Sequence, residues 1–115
     1  MAMEYRKLFE PVALPLTTPT TIFTVPATVS TTLLRGGILR ITNTTAGAVS
    51  ATLYAVPQAG TAGVTNAFLS NKAIPANDFV DVQVPQMKAG DFVQGFATAA
   101  TSLNIQALAG ALYSS

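Results

Sequence analysis

The side chains that carry most protein chemistry are scarce in this sequence. Its 115 residues contain no His, no Cys and no Trp. Without Cys there is no thiolate nucleophile, no disulfide framework and no thiolate zinc site. Without His the commonest general base and metal ligand is gone. Five carboxylates, six Lys or Arg and three Tyr remain. Asp78, Asp81 and Asp91 come closest to a constellation. Two carboxylates flanking a bond perform acid–base hydrolysis in glycosidases. Three could share a calcium ion, which takes six to eight oxygens. The residue pattern favours neither. Asn77-Asp78 and Gly90-Asp91 are turn dipeptides, where aspartate binds nearby backbone amides. Asp81 falls on the polar side of an alternating segment, and no DxDxDG loop is present. Gly36-Gly37 lacks the Lys-Ser/Thr that a phosphate-binding loop requires. The reading is therefore no catalytic residue, no metal, no cofactor and no enzyme.

Binding chemistry is almost as sparse. The six basic residues are scattered, so nucleic acid finds no electrostatic footprint. Tyr54, Phe68, Phe79 and Phe96 could make an aromatic platform for a sugar, but core packing is the commoner fate of such residues. Charged residues make up only 10% of the chain, against roughly 25% in an average soluble domain. Thr, Ala, Ser, Asn and Gln fill the gap, giving a surface that is polar yet weakly charged and prone to association.

The elements that must position these residues divide the chain in two. Residues 1–19 hold Pro11, Pro15 and Pro19, which break any helix and any central strand. They read as an extended N-terminal arm. Tyr5, Phe9, Leu14 and Leu16 are its candidate anchors on a neighbouring subunit. Glu4 and Glu10 interrupt this stretch, so it does not read as a signal peptide, and the protein is expected to be made and kept in the cytoplasm or released by a route other than secretion.

From residue 20 the pattern is β. "TTIFTV" (20–25) is β-branched and ends at Pro26. "TTLLRGGILRITNT" (31–44) carries Gly36-Gly37 as a bulge or bend, then alternates Leu39 and Ile41 inward with Arg40 and Thr42 outward. Arg35 and Arg40 flank that bend. They either keep the strand's outer face soluble or pair with carboxylates of a neighbouring subunit. "VSATLYAV" (49–56), "AFLSNKAI" (67–74), "FVDVQV" (79–84), "FVQGFAT" (92–98) and "LNIQALAGALY" (103–113) follow. Pro57, Pro75, Pro85 and Gly-containing turns separate them. Asn43-Thr44-Thr45 matches a glycosylation sequon but reads better as turn residues. The expected fold is all-β, a single antiparallel β-sandwich over 20–115. It is jelly-roll or immunoglobulin-like, with about seven or eight short strands.

No charged residue follows Asp91 in the tail. A membrane helix would place Gln94, Thr98, Thr101, Ser102, Asn104 and Gln106 in lipid. A core helix suits the Ala content. A hairpin fits the alternation best, with Leu103, Ile105, Ala107 and Ala109 inward and Asn104, Gln106 and Leu108 outward. The reading is no membrane partner.

Several local motifs also carry a resemblance. "ILRITN" before a short turn, "LYAVP" after it, the Gly/Ala/Thr loop at 60–66, the short strand bearing Asn71, Lys72 and Ile74, and the Gly90-Asp91 turn recur in order. This frame, covering most of 30–113, resembles small β-sandwich virion structural proteins of tailed bacteriophages. The resemblance implies a head decoration (cement) protein, located in the virion. It would bind the major capsid protein and bridge capsid subunits, as a homo-oligomer with a trimer favoured. The alternatives are a head-fibre, tail or baseplate component of the same particle, or a carbohydrate-binding module for host recognition.

Overall fold

The structure, a computed structural model, describes residues 2–5, 8–15, 18–26, 33–99 and 102–114, with the backbone alone for 2–5, 33, 35, 113 and 114. Among the described residues ten strands run in the order β1 (Ala2–Tyr5), β2 (Val12–Ala13), β3 (Thr20–Thr24), β4 (Leu33–Asn43) and β5 (Val49–Val56). Then come β6 (Ala67–Ile74), β7 (Phe79–Gln83), β8 (Met87–Lys88), β9 (Phe92–Ala97) and β10 (Leu103–Ser114). Among the described residues no helix is long and apolar enough to cross a membrane.

Two sheets form. In the first, sheet A, the path is β1-β10-β4-β7, with β2 also on β10 and β8 also on β4. β1 pairs with residues 111–114 of β10 and β2 with 104–105, so the two share one edge end to end. β7 and β8 share the other edge along β4 in the same way. The second, sheet B, is β3-β9-β5-β6. Each sheet is therefore four positions wide, and every pairing is antiparallel. Apart from β5–β6, each connection between the broad strands crosses from one sheet to the other. This is the connectivity of a jelly roll, two Greek keys wound into a closed sandwich.

The alternation read from the sequence sets the core. Leu39 and Ile41 of β4, Val82 of β7, Leu53 of β5, Val93 of β9 and Leu103 and Ile105 of β10 are buried between the sheets. Burying a side chain of this kind contributes about 1.5–3 kcal/mol. The bend at Gly36-Gly37 is real. The β4–β10 register slips between Ala107 and Ala109 and again between Ala109 and Ala111. The first slip adds a residue to β10 and the second adds one to β4, where Gly36 takes a φ of 68° that a side chain would resist.

Three sequence expectations change here. The tail is strand, not helix, but it is no hairpin: β9 belongs to sheet B and β10 to sheet A. Leu103 and Ile105 face inward as expected, while Ala109 is exposed, because the β10 bulge breaks the alternation beyond Ala107. The arm is extended, but its described parts lie on this chain's own sandwich. Proline is barred from central strands yet tolerated on an edge, so β1 and β2 add to the free edge of β10. Leu14 is 1% exposed and sits between the sheets. Its backbone N–H donates to the Leu103 carbonyl of sheet A, and the Pro15 carbonyl accepts from Ala97 of sheet B.

Candidate functional site

The three aspartates that looked most chemical each have structural work. Asp78 accepts from the Phe79 N–H at 2.8 Å. Asp91 accepts from the backbone N–H groups of Gln58 and Lys88, while its own carbonyl accepts from Val25, so it ties three loops together at one end of the sandwich. Asp81 lies opposite Arg40 across the β4–β7 ladder. The guanidinium grips it with two bonds, Nε to Oδ1 at 2.8 Å and Nη2 to Oδ2 at 3.0 Å. These hydrogen bonds hold the Asp81 carboxyl below the usual carboxylate range and raise the guanidinium in turn. Among the described residues no group of three or more carboxylates could hold a metal ion.

The candidate anchors disperse. Leu14 is spent inside the core and has no surface to offer a neighbour. Phe9 is half-buried against that core, its ring 6.2 Å from that of Phe23. Arg40 finds its carboxylate in its own chain and also lies over the Phe79 ring, 4.1 Å from the centroid. Of the two readings for Arg40, the structure shows an intrachain carboxylate partner and a ring contact on the strand's outer face. The side chains of Tyr5 and Arg35, and all of Leu16, lie outside the described residues.

The aromatic platform also splits. Phe79 is on the outer face of sheet A, and Phe68 packs against the core. Tyr54 and Phe96 stack on the outer face of sheet B, centroids 6.3 Å apart at 28°. Along β9, Val93, Gly95 and Ala97 face inward, so Phe92, Gln94 and Phe96 face out. In register with them on β5 stand Val56, Tyr54 and Thr52. Val56 is covered by the β5–β6 loop at Gly60, and the Thr52 hydroxyl accepts from the Asn71 N–H. On β3, Thr21 lies opposite Gln94 and accepts a hydrogen bond from its Nε2 at 3.1 Å. The result is a face of three half-buried aromatics around Gln94. One charged residue, Lys72, occurs in all four strands of this sheet, and it lies on the edge strand opposite Ala51. The strict alternation of "FVQGFA" was the available signal for Phe92, which the sequence reading passed over.

Gly95 keeps this face close to the core. A methyl there would lie 2.5 Å from Leu53 Cδ2 and 3.4 Å from Leu14 Cδ2. At the opposite end from Asp91, Asn43 is fully buried. Its Nδ2 donates to the carbonyls of Gly47, Ile74 and Pro75, and its Oδ1 accepts from Thr45. That amide nitrogen is unavailable to a glycan.

No protein-family model matches the chain, and no curated protein matches it. Solved structures do. A protein from the disulfide-linked pili that form Bacillus endospore appendages aligns over 97% of this chain and 88% of its own, at TM-score 0.56 and 16% identity. A chain of the infectious bursal disease virus Gx strain aligns over 96% of this chain at TM-score 0.53 and 16% identity. A chain of the T13 particle of that virus gives 0.52 and 12%. What they share with this chain is the jelly roll. This chain spans about a third of the length of the virus chains, 31% and 30%.

Proposed function

We propose that this protein is a non-enzymatic structural subunit of a bacteriophage virion, a head decoration protein that lies on the capsid and bridges its subunits. The observation that supports this most is the outer face of sheet B, aromatic and, among the described residues of its strands, with a single charge, Lys72, on the edge strand. Such a face suits a permanent contact with protein better than exposure to water. The fold likeness to chains of a virus and of a pilus favours the same class, because both sources are assemblies. The aspartates held in turns and in an ion pair leave no described carboxylate pair poised for hydrolysis.

A second reading is a filament subunit. It is favoured by the two-way coverage with the pilus protein, 97% and 88%. With no cysteine in these 115 residues, such a filament would be held without disulfides among them. Cryo-microscopy of particles made by the genome that encodes the chain separates the readings. Density for the jelly roll repeated over the head shell supports decoration. Density in tail or filament, or none on the particle, overturns it.

A further inference from the structure

We infer that the outer face of sheet B is a self-association surface, and that two copies of this chain meet on it face to face. The inference rests on the reading of the protein as an assembly subunit and names the surface and partner.

Charge is unevenly divided between the two sheets. Sheet A carries Glu4, Arg35, Arg40, Asp81 and Lys88 in its strands, whereas sheet B carries Lys72 alone, at an edge. A face with charge repels its own copy where like groups coincide, while a neutral face does not. Tyr54, Gln94 and Thr21 each carry a group that both donates and accepts. Two identical copies can therefore satisfy each other across a two-fold axis, where the same patch serves both partners. The Cα envelope is 46 × 26 × 17 Å, its short axis matching two layers about 10 Å apart. As an ellipse the whole silhouette is roughly 900 Å², an upper bound on either broad face, against about 800 Å² per partner in a standard interface.

The opposite face fits a second copy less well. Its exposed apolar side chains, Phe79 at 49% and Leu108 at 46%, are separate: Arg40 covers one side of Phe79, and Asn104, Gln106 and Gln83 add polar groups to the face. Edge-to-edge pairing is also less favoured. The β6 edge is kinked at Asn71 with φ 49° and carries Lys72, and β3 is bulged beside Ile22.

Sedimentation velocity over a hundredfold concentration range tests the inference. The intact chain should pass from monomer to dimer. Gln94→Lys, which puts like charges at the centre of the contact, should weaken the dimer at least tenfold. Gln83→Lys on sheet A should leave it unchanged. Circular dichroism checks folding, and Thr21→Lys, an exposed change on the same face, replaces Gln94→Lys if that variant unfolds. A chain that stays monomeric throughout overturns the inference, even if it is found on the head shell, where the face would then meet capsid protein. Equal weakening by Gln83→Lys overturns it as well. A dimer lost with Gln94→Lys upholds it wherever the particle map places the chain.

Discussion

The two outer faces of this sandwich are built on the same plan and differ in chemistry. Each spans four strand positions over one shared core. On sheet A, Arg40 bonds Asp81 twice and covers Phe79, and neutral amides flank the pair. On sheet B, Tyr54 stacks on Phe96, Phe92 lies on the same strand face, and the polar groups are uncharged. An exposed ion pair adds little stability, but it keeps a face in water. The contrast teaches that the low charge of the chain is unevenly spread. It is concentrated as an absence on one side, which is where an assembly contact is expected.

The comparison holds only if both faces rest on an intact core, and the largest expected effect attacks that. Leu14→Ala should cost about 2–5 kcal/mol in urea unfolding, the range for emptying a buried leucine site. Removing residues 1–19 should unfold the sandwich, since β1, β2 and Leu14 go with it. A truncated chain that folds with unchanged stability would restore the arm to a free appendage. Gly95→Ala comes next, at about 1–3 kcal/mol from overpacking against Leu53. Asn43→Ala should cost a similar amount, about 1–3 kcal/mol, by leaving buried carbonyls without their donor. Gln94→Lys should change stability by no more than about 0.5 kcal/mol, as surface changes do, yet still disrupt association.

The smallest effect sharpens the contrast from the other side. The Asp81 carboxyl titrates below its unfolded value of about 3.9, so its contribution is present above that pH. It is lost as pH falls through the lower folded value. Asp81→Asn should therefore lower the melting temperature slightly above about pH 4 and flatten its fall below that pH, with no change in association.

Much of this was legible in the sequence. The bounds of β5 and β6 match the segments that end at Pro57 and Pro75, and Val82 and Asp81 fell on the sides their alternation required. Connectivity was not legible. Adjacent strands such as β9 and β10 look like a hairpin in sequence, and only the core shared by two sheets decides that they part. The role of Leu14 was hidden for a related reason. Proline signals an edge or a loop but not whose edge. Arg40 was left with two readings because its partner is 41 residues away, set by the β4–β7 register. The neutral face was visible as missing charge, but its aromatic content needed the strand order.

The central claim is that sheet B, and not sheet A, is the face that other protein covers. Hydroxyl-radical footprinting of the unmodified chain at low and high concentration reads this directly. The account predicts that Tyr54, Phe92 and Phe96 lose reactivity as the chain associates, while Phe79 and Leu108 keep theirs. Protection of Phe79 with Tyr54 unchanged would contradict it.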